Sequence, residues 1–343
     1  MKKNAGISLV LLVLILSLSM GTALAQPKVY NWKCSTYGTP SDWEFLGFKY
    51  FSDRVKEMSG GRVNIKLHPV NELYPPTDAV GGVSRGLSEL AITGGFYLDG
   101  IHRAFGLHNN LTGGPISSYG EAMMVAQNPD FQKISVKLYG PTIQHVGYVI
   151  NPTMPILSKK PINKAEDFKG LIVRSAAPRD RMFAKLGAKP TYIATPEIYT
   201  GLQLGTIDVV DKGNYSGVYG LRLHEVTKYI IEPPFQTPAG IIDIIATKKT
   251  WDSLPPDLKA ILKEAAITSG LHYWAEGTRQ GFDARKKMID YGLKVITLPP
   301  EEMAKIYKAA RELWKEFSKD TPESAELVRI YMETCKRLGY PMD

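Results

Sequence analysis

The sequence predicts an α/β protein with two lobes, and three observations support this fold class. Strand-like alternation of apolar and polar residues is followed repeatedly by helical spacing, which is typical of βαβ units with mostly parallel sheets. The chain has 343 residues, enough for two lobes. A short apolar run ends in an arginine, Arg174, and a small-residue loop follows it. In open α/β sheets, ligands bind at the carboxyl ends of the strands, so Arg174 is a candidate donor to a ligand carboxylate.

The first 25 residues predict a cleavable export signal. Lys2 and Lys3 precede an apolar run over 6–20, and Ala23-Leu24-Ala25 forms a small-x-small cleavage site. The apolar run is too short for a membrane span and is followed by polar sequence. We therefore expect export to the periplasm and a mature chain from Gln26; the alternative is an uncleaved anchor. No later run is long and apolar enough to cross a bilayer.

The formal net charge is +8, and removing Lys2 and Lys3 reduces it to +6. The excess is spread along the chain without a long basic block. It suits an anionic small ligand, and it equally suits ordinary solubility. The sequence contains no signal for nucleic-acid binding.

The chain contains two cysteines, Cys34 and Cys335. An oxidising compartment permits a disulfide between them, but their positions near opposite ends of the chain do not show whether they meet. The absence of a CxxC pair or clustered histidines argues against a structural metal site. The sequence does not indicate whether the protein is a monomer or a dimer.

The first half of the chain alternates strands and helices. A short strand at 29–33 precedes a helix whose apolar residues recur from Phe48 to Met58, and Gly60-Gly61 ends this helix. Alternation over 63–67 predicts a strand. A helix over 78–87 and a buried strand over 90–92 follow, and this strand leads into Thr93-Gly94-Gly95.

The middle repeats the pattern. We predict strands at 171–174, 192–193 and 207–210, and helices at 178–186 and from Thr195 to Gly205. Thr195 is expected to cap the second helix, since proline and an acidic residue follow it. Beyond Trp251 the chain is mostly helical, with one strand at 293–298.

Several segments resemble those of a known family. FSDRVKEMSGGRVNIK (51–66), KPINKAEDFKGLIVR (160–174) and LGAKPTYIATPEIYTGLQLGTID (186–208) occur in the family's order and spacing. HEVTKY (224–229) and Ser253-Leu254-Pro255 also have counterparts. Together they resemble the DctP-like extracytoplasmic solute receptors of tripartite ATP-independent periplasmic (TRAP) transporters, over nearly the whole mature chain.

The resemblance implies a periplasmic-binding-protein-like fold with a ligand cleft between the lobes and a long helix linking them. It implies lobe I at 26–149 with 238–277, and lobe II at 150–237 with 278–343. The ligand would be an organic acid delivered to TRAP membrane permease subunits. The family's hallmark arginine, which pairs with a ligand carboxylate, falls on Arg174.

The sequence departs from the family pattern at two positions. Sialic-acid-type members carry a second ligand arginine where this chain has Met154, and an asparagine where it has Lys212. In keto-acid and lactate-type members, an acid at the Asp211 position helps bind a metal ion that bridges to the ligand. The departures argue against sialic acid, and they leave Asp211 as a candidate metal ligand or as an ion-pair partner of Lys212 or Arg174.

Asp211 and Lys212 follow a predicted buried strand and are candidate ligand contacts. The other candidates lie near strand ends, in loops or at the expected lobe crossing: Tyr37, Thr93, Gly94, Tyr97, Gln144, Met154, Thr195, Asn214 and Tyr215. Aromatic residues among them, with Trp43 and Phe96, could wall an apolar part of the ligand or pack in the core. For Gly94 the alternative role is a tight turn.

Two other functions remain open at this stage. An exported enzyme acting on a small organic acid would need a nucleophile or an acid–base pair, and no GxSxG, P-loop or GxGxxG pattern is present. We therefore expect no enzyme. An exported sensor subunit could use the same lobes to report a ligand to a partner.

Overall fold

The computed structural model describes residues 28–40, 43–109, 111–235 and 239–342. Within these ranges it contains two β-sheets surrounded by helices, which confirms the predicted α/β class. The predicted export signal at 1–25 lies outside the described residues. Among the helices in the described ranges, none combines the length and apolarity that a membrane crossing requires.

The strands in chain order are β1 Tyr30–Ser35, β2 Val63–His68, β3 Leu90–Gly94, β4 Ile143–Asn151, β5 Ile156–Ser158, β6 Ile172–Arg174, β7 Lys189–Thr191, β8 Val209–Asp211, β9 Tyr229–Glu232, β10 Gly240–Thr247 and β11 Lys294–Thr297. The α-helices are α1 Trp43–Met58, α2 Ala79–Ser84, α3 Ala104–Asn109, α4 Tyr119–Ala126, α5 Pro129–Tyr139, α6 Arg179–Lys185, α7 Ile198–Leu204, α8 Tyr215–Gly220, α9 Lys248–Asp252, α10 Pro256–Tyr291, α11 Pro300–Phe317 and α12 Pro322–Arg337.

The first sheet has the strand order β2-β1-β3-β10-β4. β1 runs parallel to β2 and β3, while β10 runs antiparallel to β3 and β4. Ile242 pairs with Gly94 on one side and with Val149 on the other. The carboxyl ends of β1, β3 and β4 therefore reach the same edge of the sheet.

The second sheet has the order β11-β9-β5-β8-β6-β7. β6 is parallel to both β7 and β8, and Arg174 pairs with Thr191 and Val210. The carboxyl ends of these three strands consequently lie side by side, and they present Arg174 and Asp211 at one edge.

Each sheet has a separate apolar layer. Phe48 of α1 and Tyr273 of α10 pack on one face of the first sheet. Ile198, Leu202 and Val218 pack on one face of the second. Because these layers are built from different helices, each sheet is stabilised largely by its own neighbours.

The largest apolar cluster runs between the two sheets. It includes Leu107 of α3, Phe131 of α5, Phe183 of α6, Leu313 of α11 and Tyr331 of α12. α12 packs against α3, α4 and α5, whereas α11 packs against α6. The two C-terminal helices thus connect α3, α4 and α5, which lie between β3 and β4 in the chain, to α6 of the second sheet.

The long helix expected from the resemblance is present as α10, with 36 residues. It packs against β4 and α1 and, further along, against α8. Close contact requires small residues: a Cβ on Gly277 would lie 2.5 Å from Trp43 and 2.9 Å from Pro152. α10 therefore contacts elements of both sheets.

Cys34 and Cys335 are both free and buried. Cys34 belongs to the apolar layer of the first sheet and Cys335 to the cluster between the sheets. The disulfide that the sequence left open is thus not formed in this structure.

Two predictions along the chain need correction. The strand expected at 192–193 lies at Lys189–Thr191, and Thr195 does not cap a helix. Thr195 begins a 3₁₀ turn, Thr195–Glu197, whose N-cap is Ala194 and which has no side-chain cap bond; α7 starts only at Ile198. Thr195 thus lies inside the turn rather than at its N-cap, and the chain enters α7 through this turn.

Candidate functional site

Arg174 ends β6 and is almost fully buried, with 3% of its surface exposed. Its Nε donates to the Ile193 carbonyl at 3.2 Å, and its Nη1 donates to the Asp211 backbone carbonyl at 3.1 Å. The Tyr192 ring lies over the guanidinium, 5.2 Å from ring centroid to Cζ. No hydrogen bond of Nη2 is found within the described ranges. Arg174 is therefore a rigidly held cation with one terminal nitrogen available.

Asp211 ends β8, and its carboxylate is fully buried. Its Oδ2 accepts hydrogen bonds from Ser175 Oγ at 2.6 Å and from Arg179 Nε at 2.8 Å. Arg179 is therefore the ion-pair partner of Asp211, which corrects the expectation of Lys212 or Arg174. Charge-assisted bonds of this length compensate a buried carboxylate for its lost hydration.

Arg179 did not emerge from the sequence as a candidate. It stands at the first position of α6, directly after Pro178, and 9% of its side chain is exposed. The signal was a second arginine within five residues of Arg174 in the loop that links strand and helix. Only the tertiary contact of Arg179 with Asp211 at the end of β8 shows that this arginine turns inward.

The two guanidinium groups influence each other. Burial lowers the pKa of Arg174, and the nearby Arg179 charge lowers it further, while Asp211 opposes this effect. Burial also raises the pKa of Tyr97, and both arginines act to lower it. Tyr97 follows β3 of the first sheet, so the aromatic side of the site lies close to the cationic side.

Aromatic rings form the side of the site that belongs to the first sheet. The Tyr37 ring centroid lies 6.0 Å from that of Phe96 and 5.6 Å from that of Tyr97. Gly94 allows this packing, because a Cβ there would lie 2.3 Å from the Phe96 ring. Gly94 thus makes room for a side chain of the protein.

Three buried polar atoms at these rings have no hydrogen-bond partner among the described residues. They are the hydroxyl of Tyr37, the indole Nε1 of Trp43 and the hydroxyl Oγ1 of Thr93. A buried polar group without a partner costs roughly 1–3 kcal/mol, so such groups point to a binding role. Thr93 was a sequence candidate; Trp43 was considered only as a wall of the cleft.

Asn214 and Tyr215 have polar groups that are bound within the protein. Asn214 caps α8, where its Oδ1 accepts from the Gly217 amide at 2.8 Å, and its Nδ2 donates to the Gly277 carbonyl at 3.4 Å. The Tyr215 hydroxyl donates to Glu232 at 2.7 Å. These bonds hold α8 against α10, and ligand contact by Asn214 and Tyr215 stays a prediction.

The remaining candidate ligand contacts fall into two groups, one near Arg174 and one away from it. Lys212 is half-buried directly after Asp211, and no hydrogen bond or ion pair is found for it within the described ranges. Met154 is half-buried in the crossover between β4 and β5, and Thr195 is half-buried just beyond Ile193. These three lie beside the Arg174 edge.

Gln144 is not brought to this group. It pairs with Ala246, which in turn pairs with Leu90 at the start of β3, and its Nε2 donates to the His145 carbonyl at 2.7 Å. β4 ends at Asn151, so Gln144 occupies the far edge of the first sheet. Gln144 was expected at the lobe crossing, and it instead lies at the start of β4, at the opposite end of that strand from Asn151.

The residues around Asp211 fit a metal ion poorly. Groups of three or more acidic, histidine or cysteine side chains suited to a metal are not found in the described part of the chain. Oδ2 of Asp211 already accepts two hydrogen bonds, one of them from the Arg179 guanidinium. Hard cations require several oxygen ligands with net negative charge, which this arrangement lacks.

Comparisons with known proteins identify the family. The family model "Bacterial extracellular solute-binding protein, family 7" (DctP) matches residues 34–320. A monocarboxylate 2-oxoacid-binding periplasmic protein of Nostoc sp. is 23% identical over 292 residues, covering 83% of this chain and 79% of the relative.

Solved structures of TRAP solute-binding proteins share the fold. One from Pseudoalteromonas atlantica, with bound sodium and pyruvate, is 25% identical with a TM-score of 0.79, covering 91% of this chain and 95% of its own. One from Bordetella bronchiseptica, with calcium and picolinate, is 23% identical with a TM-score of 0.80, covering 91% and 93%. The family match spans most of the described residues, and the chain belongs to the DctP family, family 7 of the bacterial extracellular solute-binding proteins.

Proposed function

We propose that this protein is an exported receptor that binds an organic acid between two lobes and delivers it to a TRAP membrane permease. The observation that carries the proposal is Arg174, a buried guanidinium at the carboxyl edge of the second sheet whose Nη2 has no hydrogen bond within the described ranges. Members of the family are solute receptors rather than enzymes. The 2-oxoacid receptor of Nostoc and the pyruvate-bound structure support a carboxylate ligand.

The aromatic side of the site favours one carboxylate and an apolar body. Tyr37, Phe96 and Tyr97 offer ring surface opposite the arginines. Such ring surfaces suit an apolar body better than a second charged group. We therefore propose a monocarboxylate over a dicarboxylate.

Closure of the two lobes at 26–149 with 238–277 and at 150–237 with 278–343 is part of the proposal. The chain crossings lie together: Asn151 pairs with Gly240, and Gly277 of α10 is in close contact with Pro152. Crossings grouped in this way form a hinge at which a few residues take up the change in backbone angles. The packing of α12 on α3–α5 limits how far the lobes can open.

Periplasmic location rests on the sequence of residues 1–25 and on family membership. Mass spectrometry of protein from the periplasmic fraction should give an N-terminus at Gln26. Retention of Met1 in membranes would indicate an anchored receptor.

The ligand is tested with a thermal-shift panel of pyruvate, 4-methyl-2-oxopentanoate, phenylpyruvate, benzoate, picolinate and succinate. A ligand that binds only the folded state raises the melting temperature, and the shift grows with the ratio of the ligand concentration to its Kd. We expect aromatic or branched monocarboxylates to give the largest shifts and succinate the smallest.

Calorimetry of the best acid then compares wild type with Arg174→Ala. Each lost charged hydrogen bond costs about 1.5–3 kcal/mol, so binding should weaken at least about tenfold. Arg103→Ala is the matched control, since Arg103 is an exposed arginine near the first sheet. Unchanged affinity in Arg174→Ala would remove Arg174 from the site.

Two further measurements address the alternatives. Recovery of the acid unchanged after prolonged incubation, checked by mass spectrometry, is expected of a receptor, whereas conversion indicates an enzyme. Uptake of the acid by spheroplasts should depend on added protein. Binding without any effect on uptake would favour a sensor subunit.

A further inference from the structure

The pairing of Arg179 with Asp211 has a consequence for how charge is supplied at the ligand carboxylate. Two structures that share this fold contain a metal ion together with a carboxylate ligand, calcium with picolinate in one and sodium with pyruvate in the other. The resemblance to keto-acid receptors implies that an acidic residue at the Asp211 position would help bind such an ion. In this protein the carboxylate at that position is bound to a guanidinium instead.

We propose that Arg179 takes the place of a metal ion, so that this receptor binds its carboxylate ligand through two arginines and without a metal. The proposal rests on the proposed function, because it concerns the same cleft. It identifies Arg179 as a residue that determines specificity.

Hydrogen bonding supports the proposal. Asp211 Oδ2 accepts from both Ser175 Oγ and Arg179 Nε, at 2.6 and 2.8 Å. Within the described residues, Nε is the one nitrogen of Arg179 that has a partner, so its two terminal nitrogens remain available. A guanidinium held by Nε presents these two nitrogens as a planar fork, which matches both oxygens of a carboxylate.

Charge balance supports it as well. Arg174 and Arg179 are almost fully buried, and Asp211 is fully buried. Two positive charges and one negative charge leave one positive charge in the site, which a single carboxylate neutralises. A metal ion would add positive charge beside two guanidinium groups, where like charges repel strongly because burial weakens solvent screening.

The position of Arg179 relative to the cleft completes the argument. Both Arg174 and Arg179 act on the pKa of Tyr97, which belongs to the first sheet. Pro178, the neighbour of Arg179, faces α3, since a Cβ on Gly106 would lie 3.2 Å from its ring. Arg179 therefore lies where α3, which comes after β3 of the first sheet, approaches the loop that comes after β6 of the second sheet.

The test begins with wild-type protein treated with EDTA and dialysed into sodium-free choline buffer. The panel acids named above are titrated in a calorimeter, with no metal, with 1 mM calcium chloride, or with 100 mM sodium chloride replacing choline chloride. We expect the Kd of the best acid to change less than about threefold across these conditions. A loss of tenfold or more on removal of calcium or sodium would overturn the proposal.

Variants at position 179 test the residue itself. Arg179→Met should weaken the same acid tenfold or more in metal-free buffer. The affinity of Arg179→Lys should lie between those of wild type and Arg179→Met. Unchanged affinity in Arg179→Met would contradict the proposal, and circular-dichroism melts establish that each variant is folded.

The wild-type metal series does not depend on a variant that folds. If no panel acid binds wild type under any condition, the proposed function fails together with this inference. If an acid binds but requires a metal ion, the receptor function stands and only the role of Arg179 is wrong.

Discussion

Arg179 donates a hydrogen bond from Nε to Oδ2 of Asp211 at 2.8 Å, whereas Arg174 reaches only the backbone carbonyl of Asp211. The two arginines therefore have different tasks. Arg179 neutralises the buried carboxylate, and Arg174 is held by carbonyl oxygens that leave its charge uncompensated by a direct ion pair in the described residues. A carboxylate ligand would supply the missing negative charge.

Replacing the carboxylate of Asp211 should destabilise the protein. In Asp211→Asn, Arg179 remains buried without its counter-charge, and breaking a buried pair in this way costs about 3–5 kcal/mol. Urea unfolding at pH 7 should therefore show a lower midpoint concentration for Asp211→Asn than for wild type.

A double-mutant cycle separates the ion pair from local packing. Arg179→Met combined with Asp211→Asn should cost less than the sum of the two single changes, with a coupling of about 1–3 kcal/mol. Additive effects would mean that the 2.8 Å contact contributes nothing of its own.

The glycine at position 277 should tolerate no side chain. In Gly277→Ala the new Cβ would lie 2.5 Å from the Trp43 ring and 2.9 Å from Pro152. Overpacking of this kind costs about 1–3 kcal/mol, and it should lower the melting temperature.

Gly120→Ala is the matched control for that change. Gly120 also lies in a helix, α4, and a Cβ there would meet nothing within 4 Å. The free energy of unfolding of the Gly120→Ala protein should rise by up to about 1 kcal/mol. Equal effects of the two substitutions would exclude a steric origin.

The ion pair of Glu232 and Arg285 should make stability depend on pH. Arg285 donates from Nε to Glu232 at 2.6 Å and from Nη2 at 2.9 Å, and Tyr215 adds a hydroxyl bond at 2.7 Å. Burial by itself raises the pKa of Glu232, but these bonds outweigh it and hold the pKa below the ordinary value of 4.5. The stabilisation is therefore complete above about pH 5 and is lost as the pH falls through the lowered pKa.

Urea unfolding of wild type and Glu232→Gln at pH 7, 5, 4 and 3 measures this contribution. The difference in free energy of unfolding should be about 1.5–3 kcal/mol at pH 7 and shrink below pH 4. Glu264→Gln, at an exposed position of α10, should show no such trend. A gap for Glu232→Gln that widens on acidification would contradict the assignment.

The two cysteines should behave as inert thiols. Burial raises the pKa of Cys335 to about 12 and moves that of Cys34 in the same direction, so neither forms a reactive thiolate at neutral pH. Ellman's reagent should detect no thiol in the native protein and two in guanidinium chloride without reductant. Detection of none after unfolding would reveal a disulfide.

Local sequence patterns predicted many of the elements because their physical causes are local. The apolar spacing from Phe48 to Met58 and the alternation over 63–67 led to α1 and β2 with nearly correct ends. β10 was missed, since Gly240–Thr247 is buried on both faces and shows no clear period. Strands of three residues, such as β5, are too short to show a period at all.

The site was predictable in part for a similar reason. Arg174 follows a recognisable apolar strand, and Asp211 follows another, so both were placed at strand ends. Gln144 was misplaced because the register of β4 with β10 cannot be read from one strand. Asn214 was marked as a ligand contact, although its amide caps α8, which is an interaction set by its distance to Gly217 and Gly277.

The sequence by itself determined the α/β class, the export signal as an expectation, the family and the principal arginine, because these follow from periodicity, composition and ordered segments. The tertiary structure decided which charges meet. Side-chain partners such as Arg179 and Asp211, separated by 32 positions, depend on where the start of α6 and the end of β8 meet in space. Electrostatic interactions between buried groups are set by distance in space, and spacing along the chain does not determine that distance.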